Sequence, residues 1–388
     1  MSSSMSVFQK RIAALLQGDQ IIWLVLGLLG IISILTVYSS AEVLANRNGV
    51  GTESFLVKHI MLLIASVVVM YIAHLIHYKR YARWSTIMLV LSVLMLLFTM
   101  FFGTELNGAS RWIKIPFVGI TFQTSDFAKI SLILYVARTI SLLQEKKGSL
   151  LELVLPVLLV CVLIAPSDLS SALVLFFTCI LLMFIGRVEI RSLISLVMLG
   201  VGLFAMLVIL SDFVDWIRVD TWVSRLRSFM DGSGSGDVFQ VEQAKMAIAR
   251  GGFFGVGPGN GVQAHFLPHS YSDYIYCIII EEYGIIGGIF VVALYLALLY
   301  RTIRMVHRSP KTFGAMLAFG LCASMVIQAF AHMAVNVNLM PVTGLTLPFV
   351  SMGGTSLMFT GLSFGVMLSV SRNIEKNQPK KEAKEEAA

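Results

Sequence analysis

Ten apolar runs, each near the length of a membrane crossing, dictate what this chain can fold into. A bilayer demands about 20 apolar residues per helix, because backbone N–H and C=O groups in hydrocarbon must be paired within the segment. The runs fall at roughly 21–39, 57–76, 84–102, 126–143, 150–165, 170–186, 192–211, 274–300, 313–334 and 355–371. Those at 126–143, 150–165 and 170–186 are short, which allows tilt or partial re-entry. The first, Ile21 to Tyr38, has span length, unlike a signal peptide's shorter apolar core, so it reads as a retained helix. The expected fold class is an all-α polytopic membrane protein. It has about ten transmembrane helices and a large extracytoplasmic loop, about 212–273, between spans 7 and 8.

Charge distribution sets the orientation. A net charge of +7 alone would suit a nucleic-acid partner, but only 13% of residues are charged, and Lys and Arg gather in short connectors. That is the positive-inside pattern, so no nucleic-acid partner is expected. With an even number of spans both termini share a side. Connectors on that side hold 18 of the 29 Lys and Arg, from Lys10 and Arg11 through Lys79, Lys146, Arg187 and Arg301 to the tail. The other side holds ten, five of them in the large loop, and Arg138 lies within a span. Both termini are therefore expected in the cytoplasm. Residues 1–20 form a cytoplasmic segment, 21–371 the membrane domain, and 372–388 a charged, apolar-poor tail expected to be disordered. The four cysteines lie in or beside apolar runs without metal-ligand spacing, and read as buried free thiols.

The polar residues near outward span ends are candidates for function, because charge at membrane depth is costly. The large loop ends in Pro268-His-Ser-Tyr-Ser-Asp273, with Asp273 at the edge of the eighth span. It is read as the chemical centre, against the plainer reading of a helix cap. Asp126 and Lys129, three apart at a helix start, share a face; they read either as cap and snorkelling anchor or, with Arg111, as a phosphate contact. Asp168 reads first as a cap. In the large loop stand Arg225 and Gln240, with a stretch to Arg250 that could lie at the membrane interface. The Gly-rich run Gly251 to Gly261 has no strand before it and is not a dinucleotide fingerprint. It reads as a backbone in close approach to a ligand, or as a surface turn. Glu281 and Glu282 sit two turns into the eighth span, with Arg138 a candidate partner. The stretch Asn336 to Ser356, with two prolines and three glycines, must be buried in protein or line a cavity.

Together these stretches resemble the SEDS family (shape, elongation, division and sporulation) from the first span to Ser371. The resemblance rests on Pro341-Val-Thr-Gly-Leu-Thr-Leu-Pro-Phe-Val-Ser351-Met-Gly353-Gly-Thr-Ser356, and on Arg111-Trp-Ile with Phe122-Gln-Thr-Ser-Asp126-Phe-Ala-Lys129. Gln240 with Gly251-Gly252, and Ser272-Asp273-Tyr-Ile-Tyr with Glu281-Glu282-Tyr-Gly284, complete it. The chain departs from the family pattern at Thr124, Asp126, Ser167, Ser170 and Met352.

The resemblance implies peptidoglycan glycosyltransfer, polymerising lipid II for septal wall synthesis in cell division. Asp273 would be catalytic, and Arg111, Asp126, Lys129, Arg225, Gln240, Ser351 and Gly353 would bind substrate. It further implies a class B penicillin-binding transpeptidase and other divisome membrane proteins as partners, and a divalent cation, Mg or Mn, as an optional cofactor. Rival readings are a lipid II flippase, an elongation-type polymerase, and a scaffold recruiting a transpeptidase.

Overall fold

A computed structural model describes residues 17–48, 52–106, 109–114, 121–210, 219–231, 235–309 and 311–385. All ten apolar runs are helices: α1 (Gln20–Asn48), α2 (Thr52–Leu75), α3 (Tyr78–Phe102), α4 (Thr124–Gln144), α5 (Leu150–Ile164), α6 (Leu169–Ile185) and α7 (Ile190–Leu210) come first. Two helices of the large loop follow, α8 (Val219–Asp231) and α9 (Ser235–Gly251), then α10 (Ile275–Arg308), α11 (Thr312–Asn336) and α12 (Thr355–Glu385). Seven are long and apolar enough to cross a membrane unaided. The other three are those expected to be short or polar: α5 and α6 have 15 and 17 residues, and α4 carries Asp126, Lys129 and Arg138.

The packing centres on α11 and α12, the most enclosed of the long spans, while α2 and α7 present most of their surface outward. Lipid is as apolar as leucine, so helices in it associate through close contact of small residues. Gly361 and Gly365 supply that contact on α12. A Cβ on Gly361 would lie 2.4 Å from Ser66 Oγ, and one on Gly365 2.2 Å from the Met70 carbonyl, both on α2.

The connector between α3 and α4 differs from expectation. It forms a small antiparallel sheet in the order β1 (Thr104–Leu106), β2 (Ala109–Lys114), β3 (Thr121–Gln123), with Trp112 opposite both Thr104 and Gln123. Strands this short carry too few residues for an alternating pattern to be read. Helix α12 runs on past the last apolar run to Glu385. The N-terminal segment lies outside the described residues up to residue 16. All four cysteines are free and buried, as expected.

Helix α10 is broken at Gly284, whose φ of 69° and ψ of −175° release the Glu281 and Glu282 carbonyls from the helix. The Gly-rich run fills the break: Val256 and Gly257 N–H donate to those carbonyls at 3.0 Å each, and Ile285 N–H donates to the Gly252 carbonyl at 2.9 Å. The close approach read from the glycines is real, but its object is the chain itself. The first half-helix of α10 then packs with α9 and Leu267 in a small core of its own, built from Ala244, Ala247, Ala264, Tyr274, Cys277 and Ile278.

Candidate functional site

The turn before α10 is fixed from three directions. His269 takes a left-handed conformation, φ 58°, and its carbonyl accepts the N–H of both Ser272 and Asp273 at 3.0 Å. Asn336, the last residue of α11, donates from Nδ2 to the Asp273 carbonyl at 3.0 Å, and its Oδ1 accepts Cys277 N–H at 3.1 Å. From the loop before α12, Ser351 Oγ donates to the Ser272 carbonyl at 2.7 Å, and Met352 N–H to the Tyr271 carbonyl at 3.0 Å.

This geometry removes the cap reading of Asp273. Tyr274 takes the cap position of α10 and its side chain makes no capping bond, and Asn336 satisfies one of the open N–H groups of the first turn. The Asp273 carboxyl faces another environment. Burial pushes its pKa above the usual aspartate value, while the charge on His269, a hydrogen bond from Ser272, and the charges of Arg225 and Arg111 pull it back. Three residues singled out from the sequence, Asp273, Arg225 and Arg111, thus share one electrostatic field.

Arg111 reaches it from the middle strand β2. Its Nη1 lies 3.3 Å from Asp168 Oδ2, and its buried Nε has no hydrogen-bond partner. Asp168 is a cap, as the plainer reading had it, accepting Ser171 N–H at 3.1 Å; it is also the anchor of Arg111.

Asp126 and Lys129 form a second cluster. They pair at 2.7 Å, both largely buried, and line a cleft between α4, α11 and α12 with Gln328, Ser324, Ser356 and Thr360. Asp126 Oδ2 is buried there without a partner. The loop before α12 links the clusters, since Pro348 lines this cleft and Ser351 holds the Asp273 turn.

The remaining singled-out residues take up contacts of their own. Ser351 is 2% exposed, and its hydroxyl donates to Ser272 and accepts Leu347 N–H at 2.8 Å, so it supports the turn. Gly353 packs against Ser356 and follows Met352, whose N–H is bonded to the Asp273 turn, and Gln240 is half-buried on α9. Arg138 does not meet Glu281 or Glu282: it donates to Thr86 Oγ1 at 2.6 Å. Glu281 instead accepts the N–H of Val262 at 2.9 Å and lies 3.9 Å from Arg250, while Glu282 bonds Ser39 and Gly259 N–H. The stretch to Arg250 packs on α10 through Ala244 and Ala247, so it is not a free interfacial piece. Asn336 was missed as a site residue; only its place at a span end beside irregular backbone could have flagged it. Among the described residues no group of three or more His, Cys, Asp or Glu could hold a metal.

A family model described as "Cell cycle protein", covering FtsW, RodA and SpoVE, matches residues 19–376. A probable peptidoglycan glycosyltransferase FtsW of Geobacter sp. (strain M18) is 35% identical over 276 residues, 69% of this chain and 73% of that protein. The stage V sporulation protein E of Bacillus subtilis (strain 168) is 33% identical over 276 residues, 70% of this chain and 73% of that one. Among solved structures, a chain from a peptidoglycan synthase complex superposes with a TM-score of 0.73 at 22% identity, covering 92% of this chain and 98% of its own. The rod shape determining protein RodA of Thermus thermophilus superposes at 0.65, again at 22% identity, covering 92% and 97%. At that identity the likeness is one of fold.

Proposed function

The chain belongs to the cell cycle protein family of FtsW, RodA and SpoVE, and from that premise we propose that it polymerises lipid II as a peptidoglycan glycosyltransferase. It is a multi-pass membrane protein. The reaction joins two lipid-linked disaccharides at the outer face of the cytoplasmic membrane. The 4-hydroxyl of one GlcNAc attacks the anomeric carbon of a MurNAc on the other chain, and undecaprenyl pyrophosphate leaves with inversion. One observation carries this reading: a half-buried carboxyl, Asp273, with raised proton affinity, in the field of Arg225 and Arg111.

Each residue then has a task. A sugar hydroxyl is a poor nucleophile, and a positioned base accepting its proton contributes about 10²–10⁴-fold. Burial that raises the Asp273 pKa makes it a stronger base. Negative charge developing on the leaving pyrophosphate is stabilised by fixed positive groups, here Arg225 and Arg111, whose buried Nε still has a donor to offer. The Asp126–Lys129 cleft, with its unpartnered carboxylate oxygen and hydroxyl lining, suits a polar part of the same substrate. A divalent cation, Mg²⁺ or Mn²⁺, would bind chiefly through the substrate's phosphates and would add charge at the leaving group; Asp168 is already bonded through both oxygens to Ser171 and Arg111.

Septal rather than lateral wall synthesis is favoured by the relatives named FtsW, and a class B penicillin-binding transpeptidase and other divisome membrane proteins are the partners this role calls for. A flippase is disfavoured: transporters leave broken helix ends free for substrate, whereas the break in α10 is closed by Val256 and Gly257. The test is reconstitution of the purified protein on lipid II, with and without a cognate transpeptidase. Glycan polymer is the expected product. Movement of lipid II across vesicles with no polymer would overturn the reading.

A further inference from the structure

Helix α8 is the unabsorbed element of the large loop. At 3.6 residues per turn, Val219, Trp222, Val223, Leu226, Phe229 and Met230 fall within about 120° of its circumference. Arg225 and Arg227 flank the two edges of that stripe. In a water-exposed loop such a face should be covered by protein, yet Leu226 is 51% exposed and Met230 73%.

Its position says what covers it. The Trp222 ring stacks on Phe204 of α7, centroids 5.9 Å apart and 24° between planes. Phe204 lies six residues before Leu210, the end of α7, roughly 9 Å of helical rise. Only Leu193 and Leu196 of α7 are buried, so its remaining surface faces lipid. A ring stacked on Phe204 therefore sits at the depth to which an in-plane helix sinks its apolar face, about 5–10 Å below the headgroups. Tryptophan is the residue favoured there, and the apolar face of α8 continues the lipid-facing surface of α7.

We propose that α8 is an in-plane anchor whose apolar face takes the outer-leaflet lipid surface, and that this seating fixes Arg225 beside Asp273. The charge of Arg225 is felt at the Asp273 carboxyl, so the helix that reads the membrane also carries part of the site. The coupling to Arg225 rests on the polymerase reading; the seating does not.

The test uses the full chain in phospholipid nanodiscs. The native thiols are buried, so nitroxides on Leu226→Cys and Phe229→Cys can be compared with those on Ser224→Cys and Asp231→Cys, on the polar face. Expected are labels at 226 and 229 that collide with dissolved oxygen and are shielded from an aqueous nickel chelate, with the reverse at 224 and 231. Equal access of the chelate to all four positions would overturn the proposal. Shielding of 226 and 229 from both reagents would also overturn it, since protein, a second copy included, would then be the cover. That measurement needs no catalysis and stands apart from the polymerase reading. For the coupling, Leu226→Glu with Phe229→Glu should lower polymerisation as far as Arg225→Ala does, with no further loss when combined. Wild-type polymerisation by the double variant would sink the link to Arg225.

Discussion

Asp273 can be separated from its backbone role by substitution. Its carbonyl is held by Asn336 whatever the side chain, so Asp273→Asn should insert and fold normally while losing glycan polymerisation by about 10²-fold or more. Polymer made at near wild-type rate would end the catalytic assignment. The pH dependence follows from the direction of the shift. Burial raises the carboxyl's proton affinity, so the base is lost as pH falls through a value above the ordinary aspartate pKa of about 3.9. An acid limb of the rate profile lying above that figure, and absent from the residual rate of Asp273→Asn, is the expected signature. Asn336→Ala should act through Asp273: it leaves Cys277 N–H and the Asp273 carbonyl without partners in a buried place, about 1–3 kcal/mol. Rate should drop more than lipid II affinity, and a change in affinity alone would refute the positioning role. The sequence made Asp273 and Arg111 legible because charge at a span edge needs a reason. It hid Asn336, whose amide is unremarkable until the end of α11 is brought against the start of α10.

The interlock between the Gly-rich run and α10 makes a sharper demand. Gly255 has φ 80°, and a Cβ there would lie 2.1 Å from the Glu282 carbonyl. Gly255→Ala should therefore destabilise by more than the ~1 kcal/mol that a purely conformational penalty gives, and should loosen the half-helix that follows Asp273. A lowered thermal midpoint with slowed polymerisation is expected; an unchanged midpoint would show the loop free to move away. Gly361→Val should be as damaging, since the neighbouring Ser66 belongs to a helix that cannot retreat alone. Helices were legible from apolar length. The three-stranded sheet and the break at Gly284 were not: strands of three to six residues give no period, and a glycine inside an apolar run looks like any other small residue of a membrane helix. The sequence pattern points to an interfacial stretch at 240–250, whereas the apolar stripe left uncovered belongs to α8.

Contacts across the molecule sort its connectors into two faces. On one, Asp19 at the start of α1 accepts both Arg301 near the end of α10, at 2.6 Å, and is itself bonded from its N–H to Ser371 of α12 at 2.9 Å. Gln144 at the end of α4 bonds the Gly186 carbonyl after α6 and the Thr312 hydroxyl at the start of α11, each at 3.0 Å. The opposite ends meet elsewhere: Arg111 with Asp168, Asn336 with Asp273, Thr355 with the Thr121 carbonyl. The start of α1 and the end of the last span therefore share a face, as an even number of crossings requires. The positive-inside bias predicts that the first face, which carries most of the lysines and arginines, is the cytoplasmic one. Reporter fusions should thus read cytoplasmic at Lys79, Lys146 and Arg308 and external at Gly236. Neutralising the charges of one connector should not invert the molecule, because the ion pair and hydrogen bonds join α1, α10 and α12, and α4, α6 and α11, on that face. An external reading at Arg308 would break the ten-helix alternation, and with it the placement of Asp273 on the side where a lipid-linked sugar is presented.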